Sequence, residues 1–200
     1  GIKTPKDLEG KRVGLPVYRQ TAVVWIKGIL QHEYGVRLNT IHWFEGGLDT
    51  PRQRDELDIP PEGDTAPQFI AEGKTLNEML ENGELDAYLG GILPTCFETN
   101  PNIERLFPNY REVELEYYRK TSIFPIMHTL VVKESLYRQH PWVAQSIFNA
   151  MEQSKQWMLT RLKPTGALRF MLPWMHSDLD EMYRLMGADP WPNGLEPNRH

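Results

Sequence analysis

The sequence has 200 residues, 40% of them apolar and 24% charged, with a formal net charge of −5. That length suits one large domain or two small lobes and is enough to bury a sizeable core. The acidic balance, with no basic block, argues against nucleic acid as a partner. No apolar run approaches the roughly 20 residues a membrane-spanning helix needs. The single cysteine, Cys96, excludes an internal disulfide, and no Cys/His cluster has zinc-finger spacing.

Gly1-Ile2-Lys3-Thr4-Pro5 is no signal peptide. It reads as a linker into Asp7-Leu8-Glu9-Gly10, so a piece of a longer chain is expected. Residues 11–15 read as a strand that Pro16 ends. Tyr18, Arg19, Gln20 and Thr21 then open a helix over about 22–34, with Thr21 as the expected N-cap and Gly35 as the stop. The free amides of such a first turn suit an anion, and Arg19 beside them can grip a carboxylate in bidentate fashion. An ordinary capped helix with a surface arginine accounts for the same residues.

A second strand, 40–44, carries His42 and Trp43 and runs into Glu45-Gly46-Gly47. The double glycine allows close approach, either of a ligand or of a tight turn. Residues 49–64 are polar and charged and read as a surface loop, and Phe69-Ile70 as a short strand or edge. Thr75 and Glu78 have capping-box spacing before a short helix that ends at Asn82-Gly83. Residues 84–91 hold a further strand leading to Pro94, Thr95 and Cys96. Alternating strands and helices predict a mainly parallel sheet with 11–15, 40–44 and 86–89 as neighbours. Its ligands would sit at the carboxyl ends of the strands.

Residues 103–107 and 111–119 are helical or irregular. A strand is then expected over 126–132, apolar and β-branched, with His128 in its middle. That histidine is either a core residue with a satisfied hydrogen bond or a catalytic or ligand-binding group where the chain crosses between two lobes. Beyond it nearly everything reads as helix: 134–140, a long helix from Trp142 to about residue 162, a helix or turn over 167–174, and 178–185 capped by Ser177. The stripe Val143, Ile147, Ala150, Met151, Trp157 and Met158 reads as core. The tail from Trp191 is irregular. There is no internal repeat and no Walker, Rossmann or nucleophile-elbow motif.

Five stretches, beginning at Lys11, Trp25, His42, Ile123 and Gly194 (KRVGLP, WIKGILQHEYG, HWFEGGL, IFPIMH and GLEPNR), together resemble the 4,5-dihydroxyphthalate decarboxylase family. That family is similar in fold to the type II periplasmic solute-binding proteins. The resemblance spans essentially the whole chain and implies an α/β, type II periplasmic-binding-protein-like lobe over 1–120. Residues 121–200 would be a crossing strand and the helical part of a second, incomplete lobe. It implies a decarboxylase that converts 4,5-dihydroxyphthalate to protocatechuate by acid–base chemistry with no cofactor.

On that resemblance His128 is the acid–base group, with His42 or Glu45 as its complement. Arg19, Gln20, Thr21, Thr95 and Arg199 would bind the substrate's carboxylates. His42, Glu45 and His128 would ligate a divalent metal only if they converged, and no tight histidine spacing favours that. The alternative in the same fold is a solute-binding protein or sensor for an aromatic carboxylate. The enzyme reading implies a cytoplasmic protein and the alternative a periplasmic one.

Overall fold

The computed structural model describes residues 1–53, 66–162 and 170–199. The chain divides into two compact units, Gly1–Val113 with Pro125–His128, and Glu114–Phe124 with Thr129–His200.

The first unit is built on a four-stranded, all-parallel sheet. Its strands are β1 (Arg12–Leu15), β2 (His42–Glu45), β3 (Gln68–Phe69) and β4 (Ala87–Tyr88), in the order β3-β2-β1-β4. β1 pairs with β2 from Arg12↔His42 to Leu15↔Glu45, and with β4 through Val13↔Ala87. The three expected neighbours are therefore neighbours, and the expected short strand or edge is β3 at the rim. The alternation of strand residues gives the sheet two apolar faces. Val13, Leu15 and Trp43 lie with Val23 and Leu30 of α1 (Thr21–His32) in one buried cluster. Phe44 lies on the other face with Leu76 and Met79 of α2 (Leu76–Glu81) and with Leu85. Gly14 makes that second face possible, because a Cβ there would sit 2.7 Å from a Leu85 methyl and 3.1 Å from one of Leu76.

Local signals set the helix ends in part. The Thr75 hydroxyl accepts from the Glu78 amide at 3.2 Å, and the Glu78 carboxylate accepts from the Thr75 amide at 3.2 Å, the expected capping box. At α1 the Val24 amide donates to the Gln20 carbonyl at 2.9 Å, which makes Gln20 the cap and Thr21 the first helical residue. The expected Thr21 cap is corrected by one position. Gly35, with φ +63°, closes that helix as Val36 N–H returns to the Leu30 carbonyl at 2.9 Å. A short helix α3 (Cys96–Thr99) follows the loop after β4.

The second unit is helical: the greater part of α4 (Tyr110–Thr121), then α5 (Glu134–Gln139), α6 (Trp142–Leu162) and α7 (Met175–Met186). Ser122, with φ +56°, ends α4 in the left-handed region. Three expectations are corrected in this half of the chain. Residues 126–132 are not a strand: among the described residues they have no backbone ladder, and Leu130 and Val131 are exposed. β-branched composition favours a strand but cannot supply the paired edge that makes one. Ser177 lies inside α7 rather than at its cap, which is Trp174. The stripe on α6 is no core, since Val143 and Ile147 are half-buried and Ala150, Met151, Trp157 and Met158 are exposed. Helical spacing says which residues share a face, not that something covers it.

Of the expected loop over 49–64, residues 54–64 lie outside the described residues, as do 167–169 of the expected helix or turn over 167–174. Residues 170–174 form no helix: 170 and 171 are a bend, and 173 and 174 a turn that leads into α7. Among the described residues no helix is long and apolar enough to cross a membrane.

Candidate functional site

β1, β2 and β4 are parallel, so their carboxyl ends share one edge of the sheet. β1 runs into Pro16–Gln20 and the start of α1, β2 into Gly46 and Gly47, and β4 into Leu89–Thr95. Open parallel sheets bind ligands at this edge.

Glu45, the last residue of β2, shares the α1 side of the sheet with Trp43 and is buried, 6% exposed. Its carboxylate accepts from the Tyr18 amide at 3.0 Å on one oxygen and from the Arg52 guanidinium at 2.6 Å on the other. Both partners brace the loops after β1 and β2. The glycines that follow are filled by the chain itself. A Cβ on Gly46 would run into Ile70, and one on Gly47 into the backbone of Thr50 and Arg52. Of the two readings of the double glycine, the tight turn is the one the packing shows.

Lys27, two helical turns after Gln20, reaches back over the same region. Its ammonium donates to the Tyr18 carbonyl at 3.0 Å and lies 3.2 Å from the centroid of the Tyr18 ring. That ring meets Trp43 edge-on, with centroids 5.9 Å apart. Burial, with help from the charge of Arg19 and against the pull of Glu45, brings the Lys27 pKa down to about 8. On β4, burial and the nearby Asp49 carboxylate push the Tyr88 phenol up to about 12.

The expected site residues fall in distinct places. Arg19, Gln20 and Thr21 are exposed at the turn into α1, on the carboxyl edge. Thr95 stands on the loop after β4, and its amide and hydroxyl both donate to Asp49, at 3.1 and 2.8 Å. It ties the loop after β4 to the one after β2. His42 is exposed at the first position of β2, opposite Arg12. It thus lies at the amino edge, roughly 10 Å along the strand from Glu45 and on the other face. His42 and Glu45 do not converge, and among the described residues no His, Cys, Asp and Glu side chains form a cluster able to hold a metal ion.

His128 is exposed and belongs to the first unit, with the chain passing to the second at Thr129. Two residues before it, the Ile126 carbonyl accepts from the Trp25 indole of α1 at 3.1 Å, which anchors this segment to the helix that opens beside Arg19. Arg199, in the second unit, is ion-paired with Glu196. Sequence reasoning missed Lys27, Tyr18 and Arg52. For Lys27 a signal existed, because position 27 repeats the helical face of position 20 after two turns.

No protein-family model matches the chain. Over 202 aligned positions it is 39% identical to the 4,5-dihydroxyphthalate decarboxylase of Comamonas testosteroni, covering 100% of this chain and 61% of that protein. To the 4,5-dihydroxyphthalate decarboxylase of Pseudomonas putida it is 32% identical over 123 residues, 61% of this chain and 48% of that protein. The chain thus spans about three-fifths of the length of the Comamonas relative. Identity of this order, sustained from one end of the sequence to the other, supports the resemblance to the 4,5-dihydroxyphthalate decarboxylase family.

Proposed function

We propose that the protein removes one carboxylate from a dihydroxylated aromatic dicarboxylate, 4,5-dihydroxyphthalate, releasing carbon dioxide and protocatechuate. The observation that carries this is the 39% identity, along the whole chain, to a protein bearing that activity as its name. A cytoplasmic location goes with the enzyme reading.

The chemistry needs an electron-rich ring and two proton movements. A base withdraws the phenol proton para to the departing carboxylate, and the electron pair flows to the ring carbon bearing that group. An acid delivers a proton to this carbon. The carbon–carboxylate bond then breaks, its electron pair restores the aromatic ring, and the phenolate regains its proton. One substrate dianion and one proton become carbon dioxide and one product monoanion. His128 serves as the acid–base group. General acid–base help of this kind is typically worth ~10²–10⁴ in rate.

Arg19, with Gln20 and Thr21 at the start of α1, receives the retained carboxylate, and Thr95 shapes the loop opposite. The proposal keeps Glu45 in a holding role, because both of its oxygens are engaged by Tyr18 and Arg52. The place of His42 at the amino edge argues against it as the complement of His128 for a substrate held at the carboxyl edge.

The test is to incubate the purified protein with 4,5-dihydroxyphthalate and follow carbon dioxide and protocatechuate. Diacid that is bound and recovered unchanged would favour a solute-binding protein instead. His128→Gln keeps shape and hydrogen bonding but moves no proton at neutral pH. It should fold and bind the diacid, yet turn it over at least ~10²-fold more slowly. Turnover within a few-fold of wild type would remove His128 from the mechanism.

A further inference from the structure

We propose that Lys27 is a positioning residue of the carboxyl edge: its ammonium fixes the turn that presents Arg19 and the start of α1 to a substrate carboxylate. The inference rests on the reading that this edge takes an aromatic dicarboxylate. Its ground is the way Tyr18 is held. Side chains on a helix lean toward its N-terminus, so Lys27 delivers its charge ahead of the first turn of α1. There it binds the Tyr18 carbonyl at 3.0 Å and covers the ring at 3.2 Å. The amide of the same residue is bound by Glu45 at 3.0 Å, and the ring edge rests on Trp43. Tyr18 is thus fixed at its amide, its carbonyl and its ring, and the next residue is Arg19.

The stem of Lys27 accounts for burial; its charge strengthens the hydrogen bond to the carbonyl and is what the ring face attracts. The charged and titratable groups facing it are Arg19 and Tyr18 from the turn and Glu45 from β2, with Arg52 behind Glu45. Arg19 opposes the ammonium and Glu45 favours it. With its pKa near 8, Lys27 is mainly charged at pH 7 and mainly neutral at pH 9. The turn therefore loosens as pH rises through that window.

The experiment uses the intact protein as wild type, Lys27→Met and Lys27→Arg. Amide hydrogen exchange at Tyr18 and Gln20 is read together with binding of phthalate, which carries the adjacent carboxylates without phenols that would titrate. For wild type, phthalate affinity should fall about tenfold from pH 7 to pH 9, following the charged fraction of Lys27. Lys27→Met keeps the buried stem. It should lose exchange protection at Tyr18 and Gln20, bind phthalate at least ~10-fold more weakly at pH 7, and show no further fall to pH 9. Lys27→Arg should restore protection and hold its affinity at pH 9. Unchanged protection and affinity in Lys27→Met would overturn the proposal. Failure of wild type itself to bind phthalate or 4,5-dihydroxyphthalate would overturn the dicarboxylate reading beneath it, an outcome seen without any substitution.

Discussion

The two units use their apolar residues in opposite ways. In the first, Val13, Leu15, Val23 and Leu76 are completely buried, because a parallel sheet between α1 and α2 has both faces covered. In the second, Leu159 and Pro190 are the buried positions among the described residues, while Trp142, Phe148, Met151 and Trp157 of α6 are exposed. The tail of the second unit is fastened by charge instead. Lys155 donates to Asp189 at 2.9 Å and to the Trp191 carbonyl at 3.0 Å, and Glu152 accepts from Asn193 at 2.7 Å. Hydrogen bonds from Gln156, Lys155 and Asn193 hold the Glu152 carboxyl at about 2. The lesson is that a helix satisfies its own backbone and can stand with its stripe uncovered, whereas a sheet becomes a core only when side chains meet on both faces.

The contrast breaks first at Leu15. Leu15→Ala should cost the first unit roughly 2–5 kcal/mol in denaturant unfolding, since the side chain is fully buried between sheet and α1. A loss below ~1 kcal/mol would mean that the α1 face is not the packed layer described. Next comes the start of α2, where Thr75→Ala removes the hydroxyl of the capping box and should cost about 1 kcal/mol in the same measurement. Thr75→Ser, which keeps a hydroxyl at the cap, should lose far less.

Acid sharpens the comparison further. The Arg12 guanidinium holds the Asp86 carboxyl at about 2, below the usual carboxylate value. A carboxyl lowered by folding adds stability that is present above its ordinary value near 4 and disappears as pH falls toward 2. Asp86→Asn should therefore flatten the stability profile between about pH 4.5 and 2. The contribution removed is on the order of 1 kcal/mol at neutral pH, once screening of a partly exposed pair is allowed for. The smallest effect belongs to the second unit. Met151→Ala, at an exposed position of α6, should change stability by no more than about 0.5 kcal/mol. A loss comparable to that at Leu15 would show that this face is covered in solution.

The sequence by itself determined the parts governed by local rules. Alternating apolar residues in 11–15 and 40–44 gave the strands their two faces, the Thr75–Glu78 spacing set the cap of α2, and Gly35 stopped α1. It also brought Arg19, Gln20 and Thr21 to the turn after β1, because a β–α unit puts that turn at the carboxyl edge wherever the chain folds. Tertiary structure alone decided what depends on partners. Residues 126–132 have strand composition but no paired edge, and the α6 stripe has the right period but an uncovered face. His42 and Glu45 are three apart in sequence yet lie on opposite faces and at opposite ends of β2. Lys27, nine residues from Tyr18, meets its carbonyl and ring because a helix turns its second turn back over its first. Local propensity acts on one residue and its neighbours, while pairing, burial and charge contact need a second surface, and only the folded chain supplies it.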